Sequence, residues 1–234
     1  MNRRSLLATI VAGGTIPLAG CSQQTDFTTE PTGLDKDTRT ELNYQISSYT
    51  PYEALREFEV GPITQTARIL LHAAVYQSNS SSVEETNGVG FLTIPTATVA
   101  GRSLNPLSSA DPEEVVSLFS QTTSQFNSDN LEKVETYSQR FSLTDSDEEV
   151  TVFRTQISGS SIVEVYLRLH VATLQLSEDT DVYVIGFHIE NQEVAEQSVQ
   201  RAFNSAVNPS EELQNQDVEP KPLRDLIGGT GLSQ

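Results

Sequence analysis

The chain has 234 residues, with 14 Lys and Arg against 32 Asp and Glu, a net charge of −18. Its length indicates one domain with tails, and 36% hydrophobic residues leave a lean core. The acid excess excludes a nucleic-acid binder, because phosphates would repel it. One cysteine excludes an internal disulfide, a Cys-rich zinc site and an iron–sulfur cluster.

Residues 1–21 read MNRRSLLATIVAGGTIPLAGC. Arg3 and Arg4 form a charged start, and an apolar stretch from Leu6 to Leu18 follows, interrupted by Gly13, Gly14 and Pro17. The stretch is too short and too broken to span a hydrocarbon core of about 30 Å. It has the three-part build of a secretory leader. Adjacent arginines before Ser5, Leu6 and Leu7 match a twin-arginine export signal. Leu18-Ala19-Gly20-Cys21 resembles a lipobox, in which small residues admit a peptidase and the thiol accepts a lipid. The chain's single Cys falls at the useful position. The expectation is a leader over 1–20, lipid on Cys21, and residence on the outer face of the cell membrane. Durable anchoring then requires a two-chain lipid, since one acyl chain holds only marginally.

Residues 21–40 are polar, with Pro31, Gly33 and several Thr, and predict a flexible tether. Residues 41–208 are expected to form one folded domain. The segment 209–234, with Pro209, Pro220, Pro222, Gly228, Gly229 and Gly231, predicts a loose tail that could dock through Leu223, Leu226 and Ile227.

Within the domain, Leu42, Tyr44 and Ile46 alternate with polar residues and predict a strand. The apolar run 66–76 predicts a buried strand, and 78–90 a loop. Residues 91–100 are strand-like, with Pro95 marking an edge or a bend. Asp111-Pro112-Glu113-Glu114 is a strong helix start, with a capping carboxylate and acids at the positive dipole end. Val115, Leu118, Phe119, Thr122 and Phe126 recur at helical spacing, predicting a helix from 112 to about 127. Strands are expected near 132–143, 149–157, 162–175 and 182–190. A last helix, about 192–206, is expected to be capped by Asn191, to bury Ala195, Val199, Ala202, Phe203 and Ala206, and to stop at Asn208-Pro209.

The last two strands alternate well. Val163, Val165, Leu167, Leu169 and Val171 share one face with Tyr183, Ile185, Phe187 and Ile189, which constrains the register. One register sets Arg168 beside Glu190 and His170 beside His188. The move of the apolar residues to Leu174 and Leu176 suggests a bulge near Ala172. The fold class expected is α+β, an antiparallel sheet with two or more packed helices in a single domain.

These features resemble a family of uncharacterised lipoproteins encoded by halophilic archaea. The residues that carry the resemblance are the Arg-Arg and Leu-Ala-Gly-Cys start and a strand ending in Gly101-Arg102-Ser103-Leu104-Asn105-Pro106. The capped helix, the antiparallel strands finishing at 182–189 (VYVIGFHI) and the last helix complete it, over roughly residues 40–208. The order of elements is also similar to the PsbP/Mog1-like sandwich, at the level of fold alone. The resemblance implies no active site.

The chemistry available is sparse. The histidines are His72, His170 and His188. His72 lies in an apolar run and reads as a hydrogen-bonded core or boundary residue. His170 and His188, with Glu190, are weak candidates for a metal site, weighed against solvated or helix-covered strand residues. Arg168 opposes a cation there. No Gly-x-Ser-x-Gly elbow occurs, and Gly88-Val89-Gly90 leads into no helix or lysine suited to phosphate. Asp145, Asp147, Glu148 and Glu149 lack EF-hand spacing and read as a solvated acidic turn. Asn79-Ser80-Ser81 is an N-glycosylation acceptor in a predicted loop.

No catalytic residue, metal or cofactor is therefore expected. The reading is a lipid-anchored binding or accessory protein. Its partners would be the membrane, through Cys21, and a protein or small ligand. The alternatives are an exported hydrolase with a dispersed site and a purely structural surface protein. Scattered acids with only Lys36, Lys133 and Lys221 suit a surface working in molar salt.

Overall fold

The computed structural model describes residues 24–79, 86–99, 102–105, 107, 110–123, 130–157 and 165–223. The first described elements are β1 (Gln24–Thr28), β2 (Gly33–Leu34) and α1 (Lys36–Glu41). The long strands β3 (Tyr44–Val60) and β4 (Ile63–Ser78) follow, then β5 (Asn87–Pro95), β6 (Thr98–Val99), β7 (Arg102–Ser103) and α2 (Pro112–Thr123). A meander comes next: β8 (Glu132–Phe141), β9 (Ser146–Gln156), β10 (Tyr166–Ser177) and β11 (Thr180–Ile189). The last elements are α3 (Glu193–Phe203), β12 (Ala206–Val207), α4 (Glu211–Gln214) and β13 (Lys221–Pro222).

The α+β expectation is corrected. Among the described residues the fold is mostly β, 58% strand and 19% helix, around one mixed nine-stranded sheet with four short helices. The strand order is β13-β3-β4-β5-β11-β10-β9-β8, with β1 added beside β4. Neighbours are antiparallel except β1 on β4 and β13 on β3, which are parallel.

Both sheet faces are covered, and this explains the apolar switch along β10. Odd-numbered Leu167, Leu169, Val171, Ile185 and Phe187 pack with Ile69, Leu71 and Ile94 under α2, which contributes Val115, Val116, Leu118 and Phe119. Even-numbered Ala172, Leu174, Val182 and Val184 pack with Tyr76, Phe91 and Phe141 under Val199, Ala202 and Phe203 of α3. The residues around Ala172 pair regularly; the irregularity lies between Gln175 and Ser177. Two covered faces, not a bulge, place apolar residues on both parities.

Two glycines let the helices approach. A Cβ on Gly186 would overlap Val199 and stand 2.8 Å from Phe203 Cζ, and one on Gly90 would overlap the Phe119 ring. The first helix start is built as its sequence suggests. Asp111 Oδ1 accepts from Glu114 N at 2.9 Å and Glu114 Oε2 accepts from Asp111 N at 3.1 Å, a reciprocal capping box. The second differs: Gln192 is the N-cap without a side-chain bond, and Asn191 takes φ +66 in the preceding turn. Asn tolerates that left-handed position better than most residues. Thr122's side chain and Phe126 lie outside the described residues.

The segments expected as tether and tail supply elements of the sheet. β1 pairs with Thr66 to Leu70, β13 pairs with Tyr52 and Glu53, and Leu223 is buried. The hairpin of β3 and β4 over residues 51–65 was not predicted. Its signals were present in the alternation of Tyr52, Ala54, Arg56, Phe58 and Val60 and in the Gly61-Pro62 turn.

Candidate functional site

The β10–β11 register has the expected parity but is displaced by two residues. Leu167 faces Ile189 and Leu169 faces Phe187, so Arg168 stands opposite His188 and His170 opposite Gly186. The two imidazoles are therefore diagonal neighbours, and their Nε2 atoms lie 2.9 Å apart. Both rings are 1% exposed. Tyr137 on β8 reaches across β9 and places its hydroxyl 3.0 Å from His170 Nδ1. His188 Nδ1 lies 2.9 Å from the Ile189 carbonyl oxygen.

With both rings neutral, one arrangement of protons satisfies every atom. A carbonyl only accepts, so His188 Nδ1–H donates to Ile189. His188 Nε2 then accepts from His170 Nε2–H, and His170 Nδ1 accepts from the Tyr137 hydroxyl. Burial, His188 and Arg168 together hold His170 down to about 3. Burial also lowers His188 and pushes the Tyr137 hydroxyl well up, so the trio is uncharged at neutral pH. The chain of bonds ends on a backbone carbonyl, so it braces β8, β10 and β11 rather than presenting a reactive atom.

Glu190 is not aimed at this pair. Its carboxylate holds Arg154 Nη2 at 3.0 Å and Arg168 Nε at 3.5 Å. Arg168 also pairs with Glu135 at 3.0 Å, and Arg154 stacks 3.7 Å above the Tyr166 ring. Arg154 and Arg168 are direct cross-strand neighbours, and the carboxylates between them offset their repulsion. Two nitrogens on one tetrahedral zinc stand about 3.3 Å apart from Zn–N bonds of about 2.05 Å. Here the imidazoles bond each other directly at 2.9 Å, closer than two ligands of one zinc. Among the described residues, no three or more His, Cys, Asp or Glu side chains gather as a metal site.

His72 repeats the design on the other side of the sheet's middle. Tyr49 hydroxyl lies 2.9 Å from its Nδ1, and its Nε2–H donates to the Thr29 carbonyl at 3.0 Å. Burial lowers its pKa as well. Asp145 sits in the β8–β9 turn at φ +52, paired with Arg140 at 2.6 Å. Gly88, Val89 and Gly90 are buried within β5. Asn79 is exposed at the end of β4, its N–H bonded to the Asn43 carbonyl at 2.9 Å. Ser80, Ser81, Cys21, Arg3 and Arg4 lie outside the described residues.

A groove of about 630 Å³ opens on the α3 side. It lies between α1, the β8–β9 and β10–β11 turns and the segment after α3. Asp35, Thr38, Ser142, Ser177, Asn204 and Asn208 line it together with Leu143 and Leu176. Its polar groups are mainly hydroxyls and amides, set beside an equal share of apolar surface from Leu143, Leu176, Ala206 and Val207. Sequence reasoning missed this groove, because its walls come from four separated segments.

Fold and site thus define a sheet domain sealed by one helix on each face, with its imidazoles spent on internal bonds and a groove outside. The chain belongs to the DUF6517 family, a domain of unknown function, which matches residues 31–217. No curated protein matches it.

Proposed function

We propose that this chain is a lipid-anchored, extracytoplasmic binding or accessory protein of an organism living in concentrated salt. The observation that carries the reading is Cys21, the single cysteine of the chain, placed directly after an apolar leader that begins with twin arginines. Supporting it, the first strand starts at Gln24, so lipid on Cys21 would hold the folded domain close to the bilayer. The groove suits a small amphipathic ligand or a partner's side chain, since its walls pair hydroxyl and amide groups with Leu143, Leu176, Ala206 and Val207. The resemblance to haloarchaeal lipoproteins belongs to the same reading and is supported by the acid excess and the three lysines.

The test is Cys21→Ser in the native host. The protein should move from the membrane fraction to the medium, and the leader should no longer be processed at residue 20. Unchanged membrane retention would refute the anchor.

A further inference from the structure

The hairpin of β3 and β4 reaches past the rest of the sheet. β5 pairs with β4 only from His72 to Gln77, whereas β3 and β4 stay paired as far as Val60 and Ile63. Below that level β1 replaces β5, and its pairing with β4 spans Thr66 to Leu70. Beyond Thr66 no third strand accompanies the hairpin among the described residues.

Its tip is apolar. The two-residue loop is Gly61-Pro62, with Gly61 at φ +61, as a tight hairpin turn of the II′ kind requires. Val60 is 36% exposed and Ile63 42%. Val60 pairs with Ile63 and Phe58 with Gln65, which sets Phe58, Val60 and Ile63 on one face by register. Residues 60–66, VGPITQT, carry no charge in a chain with 32 acids. Exposed apolar side chains gathered at a projecting tip mark a contact surface.

The tip also lies beside the anchor. Because β1 runs parallel to β4, its first residue Gln24 stands opposite Thr66, three residues from Ile63. Cys21 is three residues upstream of Gln24, a link that spans at most about 10 Å. We infer that the β3–β4 tip rests in the lipid interface next to the Cys21 anchor, with Val60, Pro62 and Ile63 among the headgroups. This rests on the anchor reading above. The occupant is a lipid surface rather than a protein, because the anchor would bring the bilayer itself to this tip. An acidic domain is repelled by anionic headgroups; at this end Glu57 and Glu59 lie on the face opposite Phe58, Val60 and Ile63, so the apolar face and the Gly61-Pro62 turn are what can approach the lipid. The far end of the hairpin agrees. Asn79 follows Ser78, and β4 is 16 residues long, so the acceptor sits about 50 Å from the tip and away from the bilayer.

The chain has no tryptophan, so one introduced Trp reports one position. Ile63→Trp and, separately, Val60→Trp are compared in the full-length, membrane-purified protein. Val194→Trp is the control, at a side chain 78% exposed on α3. Each is reconstituted into phosphatidylglycerol vesicles with brominated acyl chains, and a circular dichroism melt checks the fold. Both tip variants should emit at shorter wavelength and lose most of their intensity to bromine, while Trp at 194 should lose none. Equal, weak quenching at all three positions overturns the proposal. So does a blue shift without quenching that grows with protein concentration, which would mean a second copy on the tip. The mass of the N-terminal peptide from the same samples separates the two ideas. An unmodified Cys21 sinks the anchor reading, whereas a lipidated Cys21 with an unquenched tip sinks the lipid contact alone.

Discussion

Tyr137, His170 and His188 lose solvent on folding and regain three shared bonds, and the cost shows in the pH dependence. An unfolded histidine takes up a proton near pH 6.5, while folded His170 resists it down to about 3. The unfolded state therefore binds more protons as pH falls, so this part of the stability is full above 6.5 and is lost as pH drops. Each pH unit below 6.5 should cost on the order of 1 kcal/mol for the His170–His188 pair. Arg168, Glu190 and Glu196 are the charged groups that act on the pair. Denaturant unfolding at constant salt between pH 7 and 5, above the main carboxylate range, measures this slope. A flat profile would mean that the pair is hydrated. Tyr137→Phe removes the donor to His170 Nδ1 and should destabilise the fold by about 1–3 kcal/mol. The residues of this cluster were legible as strand neighbours with polar side chains. Their neutrality was not, because it comes from burial by α3, an element beyond the strands themselves.

At the scale of elements, one helix seals each face, and each depends on a glycine beneath it. Gly186→Ala pushes a methyl group into Val199 and Phe203, and Gly90→Ala pushes one into Phe119. Each should cost about 1–3 kcal/mol, read as a lower denaturant midpoint with an unchanged slope. Asp111→Ala removes half of the capping box on α2 and should cost about 0.5–2 kcal/mol. The start of α2 and the buried face of α3 were legible because capping and helical spacing are local signals. Ala195, Val199, Ala202 and Phe203 are all buried as their spacing implies. The hairpin over 51–65 was harder to see because Glu53, Glu57 and Glu59 interleave with Leu55 on a face that stays partly exposed.

At the scale of the molecule, charge is the dominant property. Loss of Arg3 and Arg4 with the leader would take the net charge from −18 to −20. Paired carboxylates are a minority: Glu53, Glu135, Glu190 and a few others meet arginines. The rest repel one another across water, and the repulsion is screened within about 3 Å at 1 M salt against about 10 Å at 0.1 M. The melting temperature should therefore rise as salt is added from about 0.1 M to about 1 M. A midpoint independent of salt would count against an acidic surface tuned to brine.

The sequence by itself determined the acid excess, the capped helix, the parity of the β10–β11 pair and the apolar faces. All of these are written in residues that are close in the chain, at periods of two or 3.6. Only the tertiary structure decided that the sheet is covered on both faces, that β1 and β13 join it, and that His170 and His188 bond each other. Joining a sheet edge uses backbone N–H and C=O groups that every residue carries, so short segments such as 24–28 and 221–222 leave no pattern to read. The groove and the projecting hairpin tip arise the same way, from segments brought together by pairing rather than by sequence.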